Sequence, residues 1–85
     1  QFMFGGEPQK ISFNYYGPSV EAVLDKFPMA KVVDKQEGVC SIEAEVFGTG
    51  VKMWLLSQGS KVKVTAPEML VQEMKQEIEK MDDRY

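Results

Sequence analysis

Histidine is absent, cysteine occurs once at Cys40, and arginine occurs once at Arg84. Without histidine the chain lacks the commonest general base and metal ligand at neutral pH. One thiol excludes an intrachain disulfide, and it excludes the thiol pair that a metal carrier needs. That cysteine usage fits a reducing, cytoplasmic setting. No apolar run approaches the roughly 18 residues of a membrane span, and no basic start leads into an apolar stretch with a cleavage site. Repeats and low-complexity tracts are missing too. So is any basic cluster: the net charge is -3, and residues 67–85 hold six acidic against three basic side chains, while residues 1–66 balance at seven each. With a pI near 4.9, the electrostatic footprint of a nucleic-acid binder is not there.

What is there suits one small domain: 85 residues, 44% hydrophobic and 11% aromatic, enough for a modest core. The chain opens on Gln1, and it reads as a piece of a longer protein. Residues 1–8 are expected to be a linker remnant from a preceding domain, and residues 9–85 a single domain. Residues 9–15 alternate, with Ile11, Phe13 and Tyr15 on one side, as in a half-buried strand. Val20, Val23, Leu24 and Phe27 share a helical face, and Pro28 predicts a stop after a helix over 19–26. A hairpin of strands 30–35 and 39–46 is expected around Gly38, with Cys40 a small core residue beside Ile42 and Ala44. A second helix over 49–57 is predicted to end at Gly59. Residues 61–65 alternate again. Pro67 then suits the first turn of a last helix running to the end, striped by Leu70, Met74, Ile78, Met81 and Tyr85. This order, β-α-β-β-α-β plus a C-terminal helix, predicts an α+β ferredoxin-like sandwich. Its four-stranded antiparallel sheet would have strand order 4-1-3-2, with the first two helices on one face. The expected core anchors are Phe13, Phe27, Trp54, Leu55, Leu70 and Ile78.

Many functions use such a fold, so the residues must decide. An acyl-phosphate hydrolase needs an early arginine, and Arg84 is at the far end. An RNA-binding sheet needs stacking aromatics, yet the face opposite Phe13 offers Ser12, Asn14, Ser41, Glu43 and Glu45. Glu43 and Glu45 lie close enough for paired carboxylate chemistry, but Lys10, Lys31 and Lys35 are available as cross-strand partners, so a solvated face is the simpler reading. No nucleophile, cofactor site or metal site emerges, and catalysis is not expected. Met69, Met74 and Met81 read as core filler. Helix two is different, because Val51, Met53, Trp54, Leu55 and Leu56 surround it. A helix on a sheet needs one apolar face, so something must cover the rest: helix three, a second subunit or a neighbouring domain. Met53 and Leu56 are the candidate interface residues there. Phe2 and Phe4 are two more, in an opening segment unusually apolar for a free end.

The run Trp54-Leu55-Leu56-Ser57-Gln58-Gly59-Ser60, the alternating 61–65, and Pro67-Glu68 with a helix ending in Met81 and Tyr85 resemble the C-terminal extension of WYL-domain transcriptional regulators. Phe2-Met3-Phe4-Gly5-Gly6-Glu7 is similar to the junction where that extension begins. The resemblance spans essentially the whole chain. It implies a cytoplasmic bacterial regulator with an N-terminal winged helix-turn-helix on DNA, a central WYL domain that senses a ligand, and this ferredoxin-like extension for dimerisation and signal relay. Its expected partners are a second copy and the preceding WYL domain, with DNA reached only through the N-terminal domain and no membrane contact. Trp54-Leu55-Leu56 is not the Trp-Tyr-Leu motif, so no ligand-contacting residue carries over. The alternative reading is a free-standing small-molecule-binding module with a pocket between the sheets of a dimer.

The acidic balance yields a first prediction. At ~50 mM salt, labelled duplex or single-stranded DNA titrated with this chain should show no saturable binding, and a dissociation constant tighter than about 10 μM would contradict it.

Overall fold

The computed structural model describes residues 8–47 and 50–85. Phe2, Phe4 and the remainder of the 1–7 segment lie outside the described residues. The elements are β1 (Gln9–Tyr15), α1 (Val20–Lys26), β2 (Lys31–Gln36), β3 (Val39–Val46), α2 (Gly50–Ser57), a 3-10 turn (Gly59–Lys61), β4 (Val62–Ala66) and α3 (Glu68–Asp83). The strands form one sheet in the order β2-β3-β1-β4, every neighbouring pair antiparallel. This is the expected α+β ferredoxin-like arrangement with a C-terminal helix.

Local chemistry accounts for the boundaries. Phe27 cannot stay helical before Pro28; it turns extended at φ -123° and ψ 91°, and its N–H still bonds the Val23 carbonyl at 3.1 Å. The β2–β3 hairpin closes through Gly38 at φ 81°, a backbone state that side chains with a Cβ disfavour. Pro67 precedes α3 and does not occupy its first turn: it is the N-cap, and its carbonyl accepts the Val71 N–H at 3.1 Å.

All helices pack on one face of the sheet. Ile11, Phe13 and Tyr15 of β1 and Ile42, Ala44 and Val46 of β3 project from that face, and Val23 of α1, Leu55 of α2 and Leu70 of α3 close over them. Ile11, Phe13, Val23, Ile42 and Leu55 are almost wholly enclosed, each stabilising the fold by about 1.5 to 3 kcal/mol through burial. Every residue of β2 is exposed. Its pairing shifts between Val32 and Asp34, leaving Val33 unpaired, a bulge of the kind that blunts a sheet edge against other chains.

The structure corrects several expectations. Ile78 is not a core anchor: it is 53% exposed. Met69 and Met81 are also exposed, so of the methionines read as filler only Met74 enters the core. For Ile78 and Met81 the reason is length: α3 has 16 residues, about 24 Å, whereas the five-residue β4 it lies along spans about 17 Å. Met69, in the first turn beside buried Leu70, lies on the solvent side of the helix. Trp54 is half-buried, packed on the core without being enclosed, and Cys40, opposite Tyr15 on the core side, is half-buried too.

These placements separate two substitutions on similar side chains. In dilute protein, Leu55→Ala should lower the unfolding free energy by about 2 to 5 kcal/mol, while Ile78→Ala should change it by about 0.5 kcal/mol or less. Urea denaturation followed by far-UV circular dichroism measures both, and equal losses would mean that α3 is covered along its whole length.

Candidate interaction surfaces

The open face of the sheet carries charge in compensating pairs. Lys10 Nζ lies 3.9 Å from a Glu43 carboxylate oxygen, Lys31 sits directly across from Glu43, and Lys10 directly across from Glu45. The Ser41 hydroxyl donates to Asn14 Oδ1 at 2.9 Å. The ion pair is exposed and contributes little stability, but with Lys10 and Lys31 opposite them Glu43 and Glu45 belong to a solvated, neutralised surface. Among the described residues no group of three or more His, Cys, Asp or Glu side chains comes together in a way that could hold a metal ion.

Beyond Tyr16, Met69 and the β2 edge residues Val32 and Val33, the exposed large apolar side chains among the described residues lie in three places. The first is a cleft of about 390 Å³ where α1 and α2 meet the end of β3, lined by Phe27, Met29, Val46, Phe47, Val51 and Trp54 among others. Phe27 and Trp54 form its rigid wall, with ring centroids 4.8 Å apart and planes at 88°. Gln9 pairs with Val46, so β1 begins at this same end of the sheet. Met29 and Phe47 are 66% and 62% exposed, and neither was singled out from the sequence. Their signal was available: each is a large apolar side chain placed outside any element, in Pro28-Met29 and just after β3.

The second place is α2. Val51 and Leu55 face the sheet, Trp54 and Leu56 are half-buried against the core, and Met53 is 68% exposed. Helix three therefore covers part of the surplus apolar surface, as α2 and α3 touch, and Met53 remains outside it. Leu56, proposed from the sequence as an interface residue beside Met53, divides its surface between core and solvent.

The third is the far half of α3, where Ile78 and Met81 continue the stripe begun by buried Leu70 and Met74 but are exposed. No helix among the described residues is long and apolar enough to cross a membrane.

Comparisons with curated proteins and with solved structures return no significant match. The WCX domain family matches residues 9–81, from the start of β1 almost to the end of α3. The chain thus belongs to the WCX family, the C-terminal domain found in WYL-domain transcriptional regulators.

Proposed function

We propose that this chain is a non-catalytic regulatory domain of a WYL-type bacterial transcriptional regulator, acting in the cytoplasm to dimerise the protein and relay a signal between its ligand and its DNA-binding domain. The WCX match over residues 9–81 carries this reading. The distribution of surface supports it: the charged sheet face is neutralised in pairs, while exposed apolar side chains gather in the cleft, on α2 and on α3, as at surfaces that meet other proteins. The cleft lies where β1 begins, which suits contact with a WYL domain preceding it, and α2 and α3 are left for a second copy. DNA is reached only through a helix-turn-helix elsewhere in the regulator.

The second reading, a free-standing small-molecule-binding module, expects a pocket between the sheets of a dimer; the cleft of about 390 Å³ with an aromatic wall lies instead within one chain, though its volume falls within the range of ligand pockets, roughly 300 to 1,000 Å³.

Sedimentation equilibrium at ~100 μM, where even a weak interface is populated, should give the mass of a dimer. A chain that stays monomeric would contradict self-association and the dimer pocket of the second reading alike, and saturable quenching of Trp54 fluorescence by small apolar ligands would show that the cleft itself binds them.

A further inference from the structure

Along α3 the residues Val71, Met74, Ile78, Met81 and Tyr85 are spaced 3, 4, 3 and 4, the spacing of a two-helix seam. The first two are spent on the chain's own core, Met74 buried and Val71 half-buried, whereas Ile78 and Met81 are 53% and 49% exposed. A shallow groove on one side of this half is lined by α3 residues alone, among them Lys75, Ile78 and Asp82. Helical geometry persists past Asp83: Arg84 has φ -76° and ψ -20°, and its N–H bonds the Met81 carbonyl at 3.1 Å. The far half of α3 is thus a helical surface with an exposed apolar stripe.

Charge determines what fits it. Lys75 and Asp82 flank one side of the stripe, and Glu77 and Arg84 flank the other. When two copies of this helix cross antiparallel with Ile78 level with Met81 of the partner subunit, Lys75 meets Asp82 of the partner subunit and Glu77 meets Arg84 of the partner subunit. Two-fold symmetry repeats each pair, so all four flanking charges of each copy find an opposite. A parallel crossing would instead set Glu77 against Asp82 of the partner subunit, a like-charge contact of the kind that selects against wrong pairings.

We propose that α3 is the self-association surface of this domain, pairing antiparallel with α3 of a second copy through Ile78 and Met81, with Lys75–Asp82 and Glu77–Arg84 ion pairs setting direction and register. The proposal rests on the dimerisation reading above and names the surface that reading leaves open. It differs from a dimer built on Met53 of α2 in the residues that it depends on.

Sedimentation equilibrium on the chain and its variants tests it. Ile78→Glu should raise the dissociation constant about tenfold or more, as expected for removing a central apolar contact, with the circular dichroism spectrum unchanged because Ile78 is half exposed. Arg84→Glu, on an exposed side chain that cannot unfold the core, should weaken association about threefold. Glu77→Arg combined with Arg84→Glu should restore it, and the charge effects should shrink in high salt. A wild-type dimer indifferent to Ile78→Glu but weakened by Met53→Glu would overturn the seam and leave dimerisation standing. Strengthening by Glu77→Arg alone would overturn the antiparallel direction. A monomeric wild type would overturn both dimerisation and the seam.

Discussion

Phe13, Phe27 and Trp54 meet edge to face where the core opens into the cleft, with ring centroids 6.4, 6.1 and 4.8 Å apart. One ring comes from β1, one from the end of α1 and one from α2, so this contact joins the sheet to two of the three helices laid on it. Edge-to-face pairs add about 0.5 to 1.5 kcal/mol to the burial of the rings themselves. In a chain of this size, where one face of one sheet supplies the core, few other interactions can fix the positions of α1 and α2 together. The Phe27 ring is held there because Pro28 ends α1 at that residue, so a backbone constraint and a packing constraint coincide.

The consequences run outward from that cluster. With α1 and α2 fixed over β1 and β3, the remaining place for α3 on the same face is along β4 and beside α2, where Leu70 and Met74 complete the core. The helix is longer than the strand beneath it by about 7 Å, roughly its last five residues, and exposed apolar side chains continue along it at Ile78 and Met81. One domain carrying both an amphipathic helix and an aromatic cleft can, on the proposed reading, relay a signal, because partners on the two features are linked through the same core. On the proposed reading, the cleft receives the WYL domain and the helix receives the second copy.

The element order and the sheet topology were legible because the sequence marks them with strong local signals: alternation in β1 and β3, Pro28 after α1, Gly38 in the hairpin. The surplus of apolar residues around α2 also announced that a further element must cover it, and α3 does so in part. Other features depend on quantities that periodicity does not contain. The stripe on α3 shows that Leu70, Met74, Ile78 and Met81 share a face, but how far that face is covered depends on the length of β4 and the path of α3, so Ile78 read as core and is surface. The bulge at Val33 depends on the register between β2 and β3. The cleft needs Phe27, Met29, Phe47 and Trp54 brought together from separate segments, and only the folded chain places them side by side.

The central claim is that one aromatic-centred core on a single sheet face carries the fold, while the far half of α3 is left for a second copy. Native-state hydrogen exchange read residue by residue, at low and at high protein concentration, tests both halves together. The account predicts that amides of β1 and β3 exchange only by global unfolding at every concentration, and that those of residues 78–83 exchange far faster in dilute protein and slow markedly as concentration rises. Protection of residues 78–83 equal to that of β1 in dilute solution, or independent of concentration, would contradict it.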